Sequence, residues 1–242
     1  WHQSKLQSGA LEADARFGSR LCISGDGVTI AVTAPYLNGT PVSWPAVHVY
    51  HRSSGTTWSA PTIIKNSQGS GYFAAAVSVD DRGLCMAIGI TSSDDHGRIA
   101  IYRYDGEAWG QTPSAVITKP FRIGHAISLS GDGKTLAFAD RARPDDVNEV
   151  FLYRYTGVEW KEDKTLAFDT VEASASSLQT VCLSADGAVL AASMGIGSST
   201  AGIVRLYRRG PDGWRLEKKL TSGKDGALEG QTGDHFGRAL SL

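Results

Sequence analysis

Read for apolar and polar positions, the chain is a succession of short period-2 runs broken by Gly-bearing turns, with no helical pattern between them. Four passages share an alternating run, a tyrosine, a turn and a closing tryptophan: VHVYHRSSGTTW (47–58), IAIYRYDGEAW (99–109), VFLYRYTGVEW (150–160) and IVRLYRRGPDGW (203–214). Each predicts a β-hairpin, since alternation entering a tight turn and leaving on an aromatic suits two half-buried strands. Trp1 opens the chain in the same phase, and the spacings from Trp1 through Trp58, Trp109 and Trp160 to Trp214 are 57, 51, 51 and 54.

Midway between the tryptophans lies a second motif. It reads FGSRLCISGDGVTIAV (17–32), FAAAVSVDDRGLCMAIG (73–89), IGHAISLSGDGKTLAF (123–138) and LQTVCLSADGAVLAAS (178–193), and it begins again at FGRALSL (236–242). Two alternating runs around an Asp-Gly or Asp-Asp-Arg-Gly turn predict another hairpin. One period therefore carries four strands. A four-stranded unit of this size cannot bury both faces alone and has to stack on copies of itself, which predicts an all-β fold, a β-propeller of four-stranded antiparallel blades, with a solenoid as the alternative stack.

The phase sets the expected boundaries: a partial blade over 1–16, blades over 17–72, 73–121, 122–176 and 177–235, and the start of a further blade at 236–242. The chain is thus expected to be a section of a larger propeller, five- to seven-bladed, completed by further blades or by a capping subunit. Small residues of the first two strands, such as Ala31, Ala76, Ala137 and Ala191, are expected near a crowded channel, and the Trp and Tyr side chains in the wider gaps between blades.

Composition narrows the function classes. In 242 residues, 24 Lys and Arg meet 25 Asp and Glu for a net charge of −1, so no general basic field gathers nucleic acid. No apolar run approaches the ~18 residues of a membrane span, and no membrane insertion is expected. Cys22, Cys85 and Cys182 are too scattered for a disulfide framework or paired metal ligands and are expected to be buried thiols. Cys22 and Cys182 align with Ser78, Ser128 and Ser241, which argues for a packing slot rather than a nucleophile.

The consensus of FG, an alternating strand, S-x-DG and a second strand resembles the FG-GAP repeats of the integrin α-subunit propeller. Phe17-Gly18 supplies the FG and Ala34-Pro35 the end of the GAP element, and later repeats relax to Phe73-Ala74, Ile123-Gly124 and Leu178-Gln179. The resemblance implies an interaction module, extracellular or at the cell surface, with a protein or glycan partner. Calcium-binding blades of that family carry a DxDxDG-like loop, because a hard cation needs several converging oxygens. Here Asp26, Asp132 and Asp186 stand alone in their turns and only Asp80-Asp81 pairs carboxylates, so no cofactor is expected and each Asp is expected to cap its own turn. The same turn resembles WD-repeat blades without their Trp-Asp ending, and it departs from the Asp-box of sialidase-like propellers.

No GxSxG, P-loop or HExxH stretch is present, and no catalytic residue is nominated. The expectation is a noncatalytic scaffold, with a structural section of an assembly and a glycan-cleaving propeller as alternatives. Candidate binding residues fall on the variable connections between second and third strands, which a propeller gathers on one face: Tyr36 and Trp44, Asp94, Asp95 and His96, and Arg141 and Arg143. Trp44 reads equally as an interface anchor or as a side chain folded over its own blade. Asn38 begins a glycosylation triplet.

Overall fold

The computed structural model describes residues 5–6, 16–35, 45–66, 72–91, 96–120, 122–140, 148–168, 178–194, 202–221 and 236–242. These residues form four antiparallel sheets, each built from consecutive strands. The first blade contains β1 (Leu21–Ile23), β2 (Thr29–Ala34), β3 (Ala46–Ser54), β4 (Thr57–Trp58) and β5 (Thr62–Lys65). The second contains β6 (Tyr72–Val79), β7 (Cys85–Thr91), β8 (Gly97–Arg103) and β9 (Ala115–Lys119). The third contains β10 (Ile123–Leu129), β11 (Thr135–Asp140), β12 (Asn148–Tyr155) and β13 (Trp160–Phe168). The fourth contains β14 (Leu178–Leu183), β15 (Val189–Met194), β16 (Ile203–Gly210) and β17 (Gly213–Thr221).

The outer strand is where the blades differ. It is continuous in blades three and four but interrupted in the first two, as β4 then β5, and as an isolated Tyr104–Trp109 bridge followed by β9. Proline explains the break. Pro61 and Pro113 fall between the tryptophan and the next apolar run, and a residue with no N–H cannot continue the ladder. WKEDKTLAF and GWRLEKKLT carry no proline there and run unbroken.

The core sits between neighbouring sheets, as stacking requires. One cluster joins Val47, Val49 and Ile64 of the first blade to Phe73, Met86, Ile88 and Trp109 of the second. A second joins Cys85, Ile99 and Ile101 to Leu129, Phe138 and Phe151. The third joins Leu152, Leu166 and Phe168 to Val181, Leu190 and Trp214. Ala31 and Ala137 belong to these inter-blade layers, where a methyl group lets two sheets approach, Ala191 is buried, and Ala76 does face the channel.

The Asp-Gly turns follow one scheme in three blades. Ser24 Oγ accepts from the Thr29 N–H at 2.9 Å and donates to Asp26 Oδ1 at 2.5 Å, and that carboxylate accepts from the Val28 N–H at 2.9 Å. Ser130 with Asp132 and Ser184 with Asp186 repeat this scheme. The second blade reaches the same end differently. Asp80 occupies the serine position, and its Oδ1 alone accepts from Leu84 N–H at 2.7 Å and Cys85 N–H at 2.9 Å. In all four turns a glycine takes the left-handed φ, between 64° and 68°.

Candidate functional site

The first strands, β1, β6, β10 and β14, pack in sequence around one channel, and residues 236–242 continue the series against the fourth blade. The channel holds a cavity of about 430 Å³ lined by Arg20, Leu21, Ala76, Val77, His125, Ala126, Ile127, Thr180, Val181 and Arg238. Every first strand contributes, β6, β10 and β14 with consecutive residues, and Arg20 precedes β1 directly. Arg20 is fixed by its strand partner: its N–H donates to Thr33 Oγ1 at 3.0 Å and its carbonyl accepts from Thr33 N–H at 2.9 Å. At the far end of the series, Thr180 Oγ1 donates to the Arg238 carbonyl at 3.1 Å.

Adjacent blades are joined by a repeated seam. Ser78 Oγ accepts from Leu129 N–H at 3.0 Å, and Ser128 Oγ accepts from Leu183 N–H at 2.9 Å. Cys22 and Cys182 take the same place opposite the backbone of Val79 and Leu242. Burial pushes the Cys22 thiol up to about 12 and Cys85 to about 11, so neither is a thiolate at neutral pH. These groups join strands. Next to the slot, the turns themselves hydrogen-bond from blade to blade, Asp26 N–H to Asp81 carbonyl, Asp81 N–H to Gly131 carbonyl, and Gly131 N–H to Ala185 carbonyl, at 2.9, 3.0 and 2.8 Å. A Cβ on Gly25 or Gly131 would run into the Asp81 side chain, which would have to move to make room.

The tryptophans close the outer parts of the seams. Trp109 Nε1–H donates to His51 Nε2 of the preceding blade at 3.1 Å, which assigns the ring proton to Nδ1, 3.1 Å from Thr29 Oγ1. Trp214 Nε1–H donates in the same sense to Asp163 Oδ2 at 3.0 Å. Burial holds the His51 pKa below the usual imidazole range, with Asp26 opposing. His48 is fully buried, neither ring nitrogen has a hydrogen-bond partner among the described residues, and burial likewise lowers its pKa.

Tyr36, Asn38, Trp44, Asp94, Asp95, Arg141 and Arg143 lie outside the described residues. His96 is described; it is exposed and directly precedes β8. The channel residues Arg20, His125, Thr180 and Arg238 were not singled out by motif. Their signal is positional: polar side chains just after the FG position, where other repeats carry Ala75, Ala76 and Ala126. Among the described residues no group of three His, Cys, Asp or Glu could hold a metal ion.

No protein-family model matches the chain, and no curated protein does. Solved structures do. Hydrazine synthase from Kuenenia stuttgartiensis is 14% identical with a TM-score of 0.53, over 90% of this chain and 53% of its own. The periplasmic gluconolactonase of Pseudomonas aeruginosa is 17% identical with a TM-score of 0.56, over 88% of this chain and 58% of its own. The β-propeller domain of Cps50 (Swd1) from Myceliophteria thermophila is 12% identical with a TM-score of 0.52, over 86% of this chain and 73% of its own. This chain spans between half and three-fifths of the length of the first two.

One expectation is corrected by these matches. The noncatalytic assignment does not stand, because a gluconolactonase is built on the same fold. The physical reason is that a propeller brings its reactive groups to the channel one blade at a time, so the lack of a linear motif excludes no catalyst. The chain has the β-propeller fold, shown as four blades of antiparallel strands around a channel.

Proposed function

We propose that this chain is a propeller section that works by protein contact, and that the outward face of its first blade receives a further blade of the same repeat. One observation carries this reading. In the four hairpins, Val79, Leu129 and Leu183 occupy one position of the repeat and are 9%, 6% and 5% exposed, each covered by the preceding blade, whereas Ile23 at that position is 54% exposed and its neighbour Leu21 is 67% exposed; Leu242, at the same position in a strand with no described hairpin partner, is 53% exposed. Gly18 repeats the contrast: nothing lies within 4 Å of the place a Cβ would take, while Gly124 meets the Ile90 backbone and Gly237 meets Ser193 and Val204. Continuity with the three closed seams supports this occupant. It is a first strand with Ser, Thr or Cys in the slot, offering oxygen or sulfur to the Ile23 N–H and apolar surface to Leu21 and Ile23.

The test uses the repeat itself. A copy of residues 122–159 placed ahead of residue 1 supplies three strands and the Ser128 slot. The expected result is slowed hydrogen exchange at the Ile23 amide and a higher unfolding midpoint, both reduced by Ser128→Ala in the added copy; unchanged exchange at Ile23 would refute the reading. A protein or glycan partner at the loop face, outside the cell or on its surface, belongs to the same proposal and rests on the integrin-like repeat.

A second reading is hydrolysis in the channel. His125 is the only general-base side chain on the described lining, and Arg20 and Arg238 are donors suited to an oxyanion. In the opening of a lactone, His125 would take a proton from water as the water oxygen attacks the carbonyl carbon, the arginines would hold the resulting oxyanion, and His125 would return the proton to the ring oxygen as the C–O bond breaks, leaving a hydroxy acid. Turnover of gluconolactone by the chain, lost in His125→Ala and followed as acid release, tests it; equal rates in the two proteins would remove this reading.

A further inference from the structure

We infer that the channel binds a small oxyanion, a ligand carrying a carboxylate or phosphate group on a polar body. This goes beyond contact with a further blade, and it does not depend on whether the channel turns a substrate over. Arg20, His125, Thr180 and Arg238 face one cavity of about 430 Å³, and no Asp or Glu is among the described residues that line it. That volume falls in the range of about 300–1,000 Å³ usual for small-molecule sites.

The two arginines differ from those of the outer strands. Arg208 meets Glu217 at 2.8 Å, Arg209 meets Asp163 at 3.7 Å, and Arg215 pairs with Asp212. The Arg20 guanidinium has one hydrogen bond, to the Ser19 carbonyl at 3.0 Å, and Arg238 forms no ion pair among the described residues. Among the described residues, no carboxylate pairs with either charge.

Leu21, Val77, Ala126, Ile127 and Val181 lie between the cationic groups, while Arg20 and Arg238 are themselves exposed, so their attraction for an anion is strongest at low ionic strength. A guanidinium presents a planar fork of donors that matches a carboxylate or a phosphate. Because Arg20 and Arg238 enter from opposite ends of the series of first strands, a single anion between them would also tie the first blade to the last described strand. No sequence motif marks such a site, since each group comes from a different repeat.

Isothermal titration calorimetry of the chain at low ionic strength tests the inference, with inorganic phosphate and with citrate as separate probes. Saturable binding of at least one is expected, and the preferred probe identifies the head group. Arg20→Ala and Arg238→Ala should each weaken it about tenfold, the usual scale for one charge-assisted pair, and the double variant should abolish it. Arg215→Ala, remote from the channel, should bind as the parent does. Should the double alanine variant fail to fold by circular dichroism, Arg20→Lys with Arg238→Lys keeps the charge and removes the fork, and is expected to bind more weakly than the parent. Absence of saturable binding, binding that survives either folded double variant unchanged, or equal loss in Arg215→Ala would each overturn the site.

Discussion

The seam between the second and third blades and the outward face of the first blade are built from the same repeat positions and end in opposite states. In the closed seam, Leu129 is buried, its N–H reaches Ser78 Oγ, and the Asp81 and Gly131 turns are hydrogen-bonded. At the open face, Leu21 and Ile23 present the corresponding apolar surface to water. A blade is thus half of two interfaces, and its stability belongs to its neighbours as much as to its own strands.

Breaking the closed seam at its apolar centre should have the largest effect. Leu129→Ala is expected to lower stability by about 2–5 kcal/mol in urea unfolding, the ordinary range for a buried leucine, whereas Ile23→Ala in the same chain should change it by no more than about 0.5 kcal/mol. Equal losses at the two positions would mean that the open face is covered in solution. Next comes the slot. Ser128→Ala leaves the buried Leu183 N–H without its acceptor and should cost about 1–3 kcal/mol, while Ser241→Ala, in the strand with no described successor, should be close to neutral.

The outer part of the seam is sharpened by pH. His51 and His48 have folded-state pKa values below the ordinary 6.5, so below that pH the unfolded chain binds protons that the folded chain refuses. Stability from these groups is complete above about pH 6.5 and is lost as the pH falls toward their folded values. Protonating His51 Nε2 also removes the acceptor for Trp109 Nε1–H, so the transition midpoint should fall on acidification, and His51→Gln should reduce that dependence. A midpoint that stays level from pH 7.5 to 5.5 would contradict this.

The smallest expected effect concerns the turn of the second blade. Asp80→Ser with Arg82→Asp installs the Ser-x-Asp arrangement of the other three turns and should preserve stability, whereas Asp80→Ser alone loses the acceptor for Leu84 N–H, a cost of about 0.5–1.5 kcal/mol. A double variant no better than the single would show that the two turn schemes are not interchangeable.

Much of the fold was legible in the sequence because its signals are local. Period-2 alternation, the Gly of each Asp-Gly turn and the phase of Trp58, Trp109, Trp160 and Trp214 gave the strands, their order and the need to stack. The alignment of Cys22 and Cys182 with Ser78 and Ser128 already marked a structural slot, although not the N–H that fills it. The outer-strand breaks were also readable, at Pro61 and Pro113. The channel chemistry was not, because Arg20, His125 and Arg238 stand far apart in the chain at positions filled elsewhere by alanine, and the search for short motifs passed over them.

By itself, the sequence determined the repeat, since strand, turn and stacking face each depend on side chains within a few residues of one another. Tertiary structure alone decided which of two equivalent apolar positions is buried, for Ile23 and Leu129 differ in their neighbours and not in their pattern. It also decided that two arginines from opposite ends of the chain share one cavity, because only the curved stacking of the blades about an axis turns the first strand and the last described segment toward one space.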